Sequence, residues 1–133
     1  MGLCFVTLKL LNPRRPGLQP VEAEALTDTG SNFLCIPETV ALQLQLDEPQ
    51  RKEIVTLADG RGREVPYVGP IEIRFKNRVA YVGALVLGER VLLGAIPMED
   101  MDLVVLPSTQ SVDVNPASPN IATAICMSHQ VRG

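Results

Sequence analysis

The tetrapeptide Asp28-Thr29-Gly30-Ser31 is the part of this 133-residue chain whose residue types could do chemistry. The apolar segments on both sides of it are typical of strands, and Gly30 lets the backbone turn between them at little steric cost. A carboxylic acid held on such a turn can act as a general base on water or, when protonated, as a general acid. The tetrapeptide occurs once, so an enzyme whose site needs two such turns would take Asp28 from each of two subunits that meet on a two-fold axis.

The composition favours one ordinary globular domain. Hydrophobic residues make up 46% of the chain and charged residues 20%, which is usual for globular proteins. We place this domain at residues 1–127 and expect residues 128–133 to form a disordered tail. The net charge is −3, so there is no basic field to hold a phosphate backbone, and the aromatic fraction of 4% disfavours base stacking. We therefore expect no nucleic-acid partner.

The cysteines and the histidine offer little for metal or thiol chemistry. Cys4, Cys35 and Cys126 contain no C-x-x-C pair, so the sequence indicates neither a disulfide framework nor a zinc site. The sole histidine, His129, lies in the polar tail, which disfavours a Ser-His or Cys-His catalytic couple. We expect no cofactor and no metal.

Targeting signals and membrane spans are not predicted. Residues 2–11 are apolar but contain Lys9, lack a basic n-region and are followed by no small-residue cleavage site. The longest apolar runs are much shorter than the roughly 20 residues that a helix needs to span a membrane. We therefore expect a cytoplasmic protein with no membrane partner.

Alternating apolar residues and scattered turn residues predict a mostly β chain. Eleven prolines and ten glycines are spread along the sequence, which is typical of many turns between short strands. The predicted strands cover residues 5–10, 21–26, 33–36, 54–57, 64–75, 78–82, 84–87, 103–106, 111–115 and 121–127, with a buried apolar run at 91–94. A first short helix is predicted to begin at Pro37 and to end near Asp47, because Pro49 disfavours helical geometry at the residue before it.

A second short helix is predicted at residues 97–102, with Glu99, Asp100 and Asp102 in its first turns. These carboxylates could attract a divalent cation. Acids in a first helical turn usually balance the positive end of the helix dipole, which is the interpretation that we favour.

Three motifs follow one another in an informative order: Asp-Thr-Gly at 28–30 after a strand, a glycine-containing hairpin at 59–62, and Leu-Leu-Gly at 92–94 before a short helix. On these motifs the chain resembles the retropepsin-like aspartic proteases, the single-domain dimeric family that includes retroviral proteases and small bacterial relatives. The resemblance covers roughly residues 3–115. It implies an all-β fold, a closed acid-protease barrel with one or two short helices, which functions as a homodimer.

The resemblance implies a role for each residue of the turn. Asp28 would be the catalytic carboxylate, and it would share one proton with its mate, since two carboxylates about 3 Å apart cannot both be ionised. Thr29 would bond across the two-fold axis to its counterpart. Gly30 would present a backbone N–H close to the carboxylate, and Ser31 would donate to the outer oxygen of Asp28.

The resemblance also implies a hydrophobic support and a flap that closes over an extended peptide substrate. The support residues would be Leu92, Leu93 and Gly94. The flap residues would be Leu57, Ala58, Asp59, Gly60, Arg61 and Gly62. This hairpin is more charged than the retroviral flap and lacks its glycine-rich apolar tip.

Two functional classes remain open at this point. The first is an aspartic endopeptidase that acts as a homodimer on extended peptides or unfolded protein. The second is a noncatalytic retropepsin-like module for dimerisation or peptide binding. The complete Asp-Thr-Gly-Ser motif favours the first class, because a binding module has no need of an acid pair that costs free energy to bring together.

Overall fold

The computed structural model describes residues 3–49 and 51–126, so the expected tail at 128–133, with His129, lies outside the described residues. The described chain has nine strands and two short helices. The strands are β1 (Phe5–Leu11), β2 (Val21–Thr27), β3 (Leu34–Ile36), β4 (Arg51–Thr56), β5 (Gly62–Phe75), β6 (Arg78–Val86), β7 (Leu92–Leu93), β8 (Leu103–Leu106) and β9 (Ser111–Val114). The helices are α1 (Glu38–Gln43) and α2 (Ala95–Asp100). None of the helices in the described part is long and apolar enough to cross a membrane.

Six of the strands form a closed barrel. They pair in the order β1-β2-β7-β3-β6-β5, and antiparallel pairing of β1 with β5 closes the ring. Strand β4 pairs with β5 alone and therefore forms a free edge beside the barrel, while β8 and β9 make a separate two-stranded sheet. The predicted closed all-β fold with two short helices is confirmed.

The barrel encloses the main hydrophobic core because its strands alternate between inward and outward residues. In β1, Val6, Leu8 and Leu10 are buried, while the residues between them are exposed. Ile71 and Ile73 of β5 contribute to the same core from the strand that closes the ring. Packing of these side chains fixes the register of the strands.

Two strand predictions are wrong. The predicted strands at 78–82 and 84–87 form one strand, β6, which continues through Gly83. An added Cβ at Gly83 would lie 2.2 Å from the ring of Tyr67, so the glycine makes room for a cross-strand aromatic ring and does not break the strand. Residues 121–126 form no strand, and residue 127 lies outside the described part of the chain.

Both helices are displaced from their predicted bounds. Helix α1 ends before Asp47 because Gln45 takes a positive φ of 50°, which lies outside helical geometry. Helix α2 begins two residues before Pro97, so the expectation that its acids lie in the first turn is wrong: Glu99 and Asp100 lie near its C-terminal end.

Asp102, the third of these acids, anchors the segment that follows β9. Its carboxylate accepts hydrogen bonds from Ser118 Oγ, from Asn115 Nδ2 at 3.1 Å, and from the Thr123 N–H and Oγ1 at 3.0 and 2.9 Å. These bonds hold the pKa of Asp102 well below its usual range, and the bond from Ser118 lowers it most. Asp102 therefore serves a structural purpose that the sequence pattern did not indicate.

Candidate active site

The Asp28 turn begins where two parallel strands end together. Strands β2 and β7 pair through Leu26 with Leu92 and Thr27 with Leu93. The Asp28 N–H then donates to the Leu93 carbonyl oxygen at 3.0 Å, which extends this ladder by one bond. The predicted support residues Leu92 and Leu93 therefore lie alongside the turn. Because Leu93 is buried in the core, it fixes the position at which the turn begins.

The Asp28 carboxylate is held at both of its oxygens. The Gly30 N–H donates to Oδ1 at 3.0 Å, and Ser31 Oγ donates to Oδ2 at 3.0 Å. The Ser31 N–H also donates to the Asp28 carbonyl oxygen at 3.1 Å, which closes the turn. Thr29 is exposed beside it. This geometry presents a carboxylate of fixed orientation at the surface of the single chain.

Gly94 brings helix α2 into close contact with the residues after Asp28. The Ala95 N–H donates to the Ser31 carbonyl oxygen at 2.8 Å, and the Ile96 N–H donates to the Asn32 carbonyl oxygen at 2.9 Å. These bonds satisfy N–H groups that would otherwise be unpaired at the start of the helix. An added Cβ at Gly94 would lie only 2.4 Å from the Phe33 carbonyl oxygen, so this approach requires glycine.

The predicted flap residues, 57–62, form the tip of the hairpin between β4 and β5. The Leu57 N–H donates to the Arg61 carbonyl oxygen at 2.8 Å, and Gly60 supplies the positive φ of 85° that the turn requires. Asp59 accepts bonds from the Arg61 N–H at 3.0 Å and from Arg61 Nε at 2.8 Å, and these bonds lower the pKa of Asp59. The charges of the tip are thus paired locally, on an exposed turn.

A cavity of about 270 Å³ lies between the Asp28 turn and strand β4. It is lined by Gly30, Ser31, Asn32, Phe33, Cys35, Glu53, Ile54, Val55, Thr56, Leu85, Leu87 and Leu92. Three of the predicted site residues, Gly30, Ser31 and Leu92, are in this lining, whereas the tip residues 57–62 are not. The part of the hairpin that faces the cavity is its β4 strand.

Comparison with solved structures identifies the fold. The retroviral protease-like domain of Ddi1 from Leishmania major matches with a TM-score of 0.56 and 11% identity, over 86% of this chain and 91% of that chain. EIAV protease complexed with the inhibitor HBY-793 matches with a TM-score of 0.50 and 20% identity, over 74% of this chain and 88% of that chain. The chain has a retropepsin-like fold. No protein-family model matches it, and no curated protein matches it.

The fold predicted from the three motifs is thereby confirmed. Similarity at sequence identities of 11% and 20% supports the fold alone. The structure places the Asp28 turn and the support residues in contact, and it places the flap residues at the tip of the hairpin whose β4 strand shares the cavity with that turn. The catalytic, dimer-forming and flap roles of these residues stay predictions.

Several residues of the cavity were missed by sequence reasoning. Leu85 at the end of β6 and Leu87 just after it are far in sequence from the Asp28 turn, so no local motif joins them to it. Phe33 and Cys35 follow Ser31 closely, and the sequence indicated only that they belong to an apolar strand. Glu53 was also missed, because it lies one residue before the predicted strand at 54–57, and only the structure shows that it shares the less exposed face of β4 with Val55.

Cys35 places a buried thiol in this lining. Burial raises the pKa of the Cys35 thiol, and the nearby negative charge of Asp28 raises it further. The thiol is therefore protonated near neutral pH, which argues against its acting as a nucleophile. Among the described residues, no group of three or more His, Cys, Asp and Glu side chains could hold a metal ion.

Proposed function

We propose that this chain is an aspartic endopeptidase that acts as a homodimer, in which Asp28 of each subunit contributes to hydrolysis of a peptide bond. The observation that carries the proposal is the Asp28 carboxylate, held by Gly30 and Ser31 beside a cavity in a retropepsin-like fold. An Asx turn in a noncatalytic β domain would account for the bond from Gly30, but such a turn does not need a second donor, Ser31, at the other carboxylate oxygen.

The proposed chemistry uses two carboxyl groups and one water molecule, with no metal and no other cofactor. Two Asp28 side chains about 3 Å apart share one proton. The ionised member removes a proton from water, which attacks the scissile carbonyl carbon, while the protonated member donates to the carbonyl oxygen. The carboxyl group that took the proton from water then gives it to the leaving amine as the carbon–nitrogen bond breaks, and the other carboxylate takes a proton back from a hydroxyl of the tetrahedral intermediate.

The requirement for a second copy follows from the count of one Asp-Thr-Gly-Ser turn per chain. An apolar groove of about 490 Å³ beside Thr29 supports a dimer contact on this face. Leu3 at its edge is 64% exposed, and Val105 and Pro107 of the β8–β9 hairpin lie on its other side. A second copy seated on this groove by two-fold symmetry would place Thr29 of both subunits in the interface.

The proposed substrate is an extended peptide or an unfolded protein segment. Four consecutive residues of β4, Glu53 to Thr56, line the cavity, and an extended peptide can add to the free edge of this strand as a further strand through main-chain hydrogen bonds. The apolar residues beneath β4, among them Phe33, Leu85 and Leu92, suit an apolar substrate side chain near the scissile bond.

The test is cleavage of a peptide library between acidic and neutral pH by the wild-type chain and by Asp28→Asn. Asparagine is isosteric: its oxygen can still accept from the Gly30 N–H, and its amide can donate to Ser31 Oγ. We therefore expect the variant to remain folded and dimeric while cleavage disappears. A statine-type inhibitor should also abolish wild-type cleavage.

Two results would contradict the proposal. Cleavage that persists in Asp28→Asn would assign the activity to another site or to a contaminant. No cleavage at any pH, from a protein shown by sedimentation to be dimeric, would favour the noncatalytic peptide-binding or dimerisation module.

A further inference from the structure

Among the residues that the structure describes, Glu53 is the one charged residue that lines the cavity beside Asp28. The other lining residues are apolar or neutral polar, with the Cys35 thiol among them. The Glu53 side chain is 28% exposed, so its carboxylate is only partly shielded by solvent. A carboxylate oxygen in this position favours an occupant of the cavity that can donate a hydrogen bond to it, and a cationic donor most of all.

Arg51 holds Glu53 in place. Nη2 of Arg51 pairs with Oε1 of Glu53, and the Arg51 guanidinium lies 4.3 Å from the centroid of the Tyr67 ring. Tyr67 in turn packs edge-on against Phe33 of the lining, with the ring centroids 5.8 Å apart. In the described part of the chain, Oε2 of Glu53 accepts no hydrogen bond, so this oxygen is free to accept one from a ligand.

The strand that carries Glu53 sets the spacing of its contacts. Glu53 and Val55 lie on the same face of β4, opposite Val65 and Arg63 of β5. Val55 packs against the apolar cluster formed by Cys35, Val65 and Leu85. If an extended peptide adds to the free edge of β4, its side chains opposite Glu53 and Val55 lie two positions apart, roughly 7 Å along the strand.

We propose that Glu53 is a specificity-determining residue, which selects substrates with a basic side chain two positions from the apolar side chain that enters the cavity. This inference rests on the proposed function, because it assumes that the cavity binds a peptide that the enzyme cleaves. The apolar side chain packs beneath Val55, and the ammonium or guanidinium group pairs with Oε2 of Glu53. The preferred substrate segment is therefore three residues long: a basic residue, any residue and an apolar residue, in this order or in the opposite order.

The test compares peptides that are identical except for lysine or norleucine at the position two residues from a single leucine, in both chain directions. For wild type we expect kcat/KM to be about fivefold higher for the lysine peptide in one direction, the upper range for a partly exposed ion pair. Glu53→Gln should remove this preference while still cleaving the norleucine peptide. Glu64→Gln is the matched control, because Glu64 lies in the same hairpin, is exposed and does not line the cavity.

Each outcome decides one of the two proposals. Equal cleavage of both peptides by wild type, or a preference that survives Glu53→Gln, overturns the role of Glu53 and leaves the proposed function standing. If wild type cleaves neither peptide, the proposed function is overturned, and binding of the same labelled peptides by fluorescence anisotropy tests Glu53 separately. Equal affinities for the lysine and norleucine peptides would then overturn the inference, and a lysine preference lost in Glu53→Gln would support it.

Discussion

Replacement of Gly94 by alanine should destabilise the protein strongly, because Gly94 is where α2 touches the residues after Asp28. A Cβ built there would lie 2.4 Å from the Phe33 carbonyl oxygen, 2.7 Å from the Asn32 carbonyl carbon and 2.7 Å from the Ser31 carbonyl oxygen. All three atoms belong to the backbone, so no side-chain rotation relieves the contact. The φ of −88° at Gly94 is open to alanine, and the effect is therefore one of space alone.

The cost of Gly94→Ala follows from two contributions. Overpacking of this kind costs about 1–3 kcal/mol. Separation of the two segments also weakens the bonds from Ala95 to Ser31 and from Ile96 to Asn32, each worth about 1 kcal/mol. The sum is about 3–5 kcal/mol, a large part of the roughly 5–15 kcal/mol by which a typical domain is stable. For a chain of this size, that corresponds to a fall in Tm of roughly 10–20 °C.

Urea and thermal unfolding of Gly94→Ala measure this cost, with Gly17→Ala as the control. Gly17 has no atom within 4 Å of an added Cβ and no positive φ, so its replacement should change the unfolding free energy by less than about 0.5 kcal/mol. At a temperature where both variants are folded, Gly94→Ala should also cleave peptide more slowly, because the displaced turn carries Asp28 with it. An unfolding free energy of Gly94→Ala within about 1 kcal/mol of wild type would refute the reasoning.

Three further predictions concern the dimer, the C-terminal segment and the cavity thiol. Thr29→Ala should weaken self-association in sedimentation experiments, and an unchanged dimer affinity would count against a contact across the two-fold axis. Asp102→Asn should lower the unfolding free energy. Because the folded-state pKa of Asp102 is depressed, the difference in unfolding free energy between wild type and variant should have its full size above about pH 4 and should shrink as the pH falls toward the folded-state pKa. A difference that does not change with pH would contradict the assignment. The Cys35 thiol should react with a thiol reagent at pH 8 far more slowly than exposed Cys126, and equal rates would show that the cavity thiol is not buried.

Sequence reasoning located most strands and the candidate catalytic turn, because both depend on neighbouring residues. Alternation of apolar residues marked β1, and the Asp-Gly hairpin marked the turn between β4 and β5. The bonds from Gly30 and Ser31 to Asp28 span two and three residues, so the tetrapeptide itself contains the donors that orient the carboxylate. The order of three motifs was enough to predict the retropepsin-like fold.

Contacts between distant segments decided the rest. Gly83 continues a strand because the Tyr67 ring occupies the space above it, and α2 begins early because the carbonyl oxygens of Ser31 and Asn32 accept from its first N–H groups. Asp102 acquires its purpose from side-chain donors and one backbone N–H that lie 13 to 21 residues later in the chain.

The cavity is the clearest case of what tertiary structure alone determined. Its lining joins the end of the Asp28 turn and the adjoining β3 to the strands β4, β6 and β7, which lie elsewhere in the sequence. The sequence by itself determined that a carboxylate would stand on a glycine turn, since that arrangement is local. Which side chains surround the carboxylate, Glu53 among them, depended on barrel closure and on the packing of the β4–β5 hairpin, and those arise only when the whole chain folds.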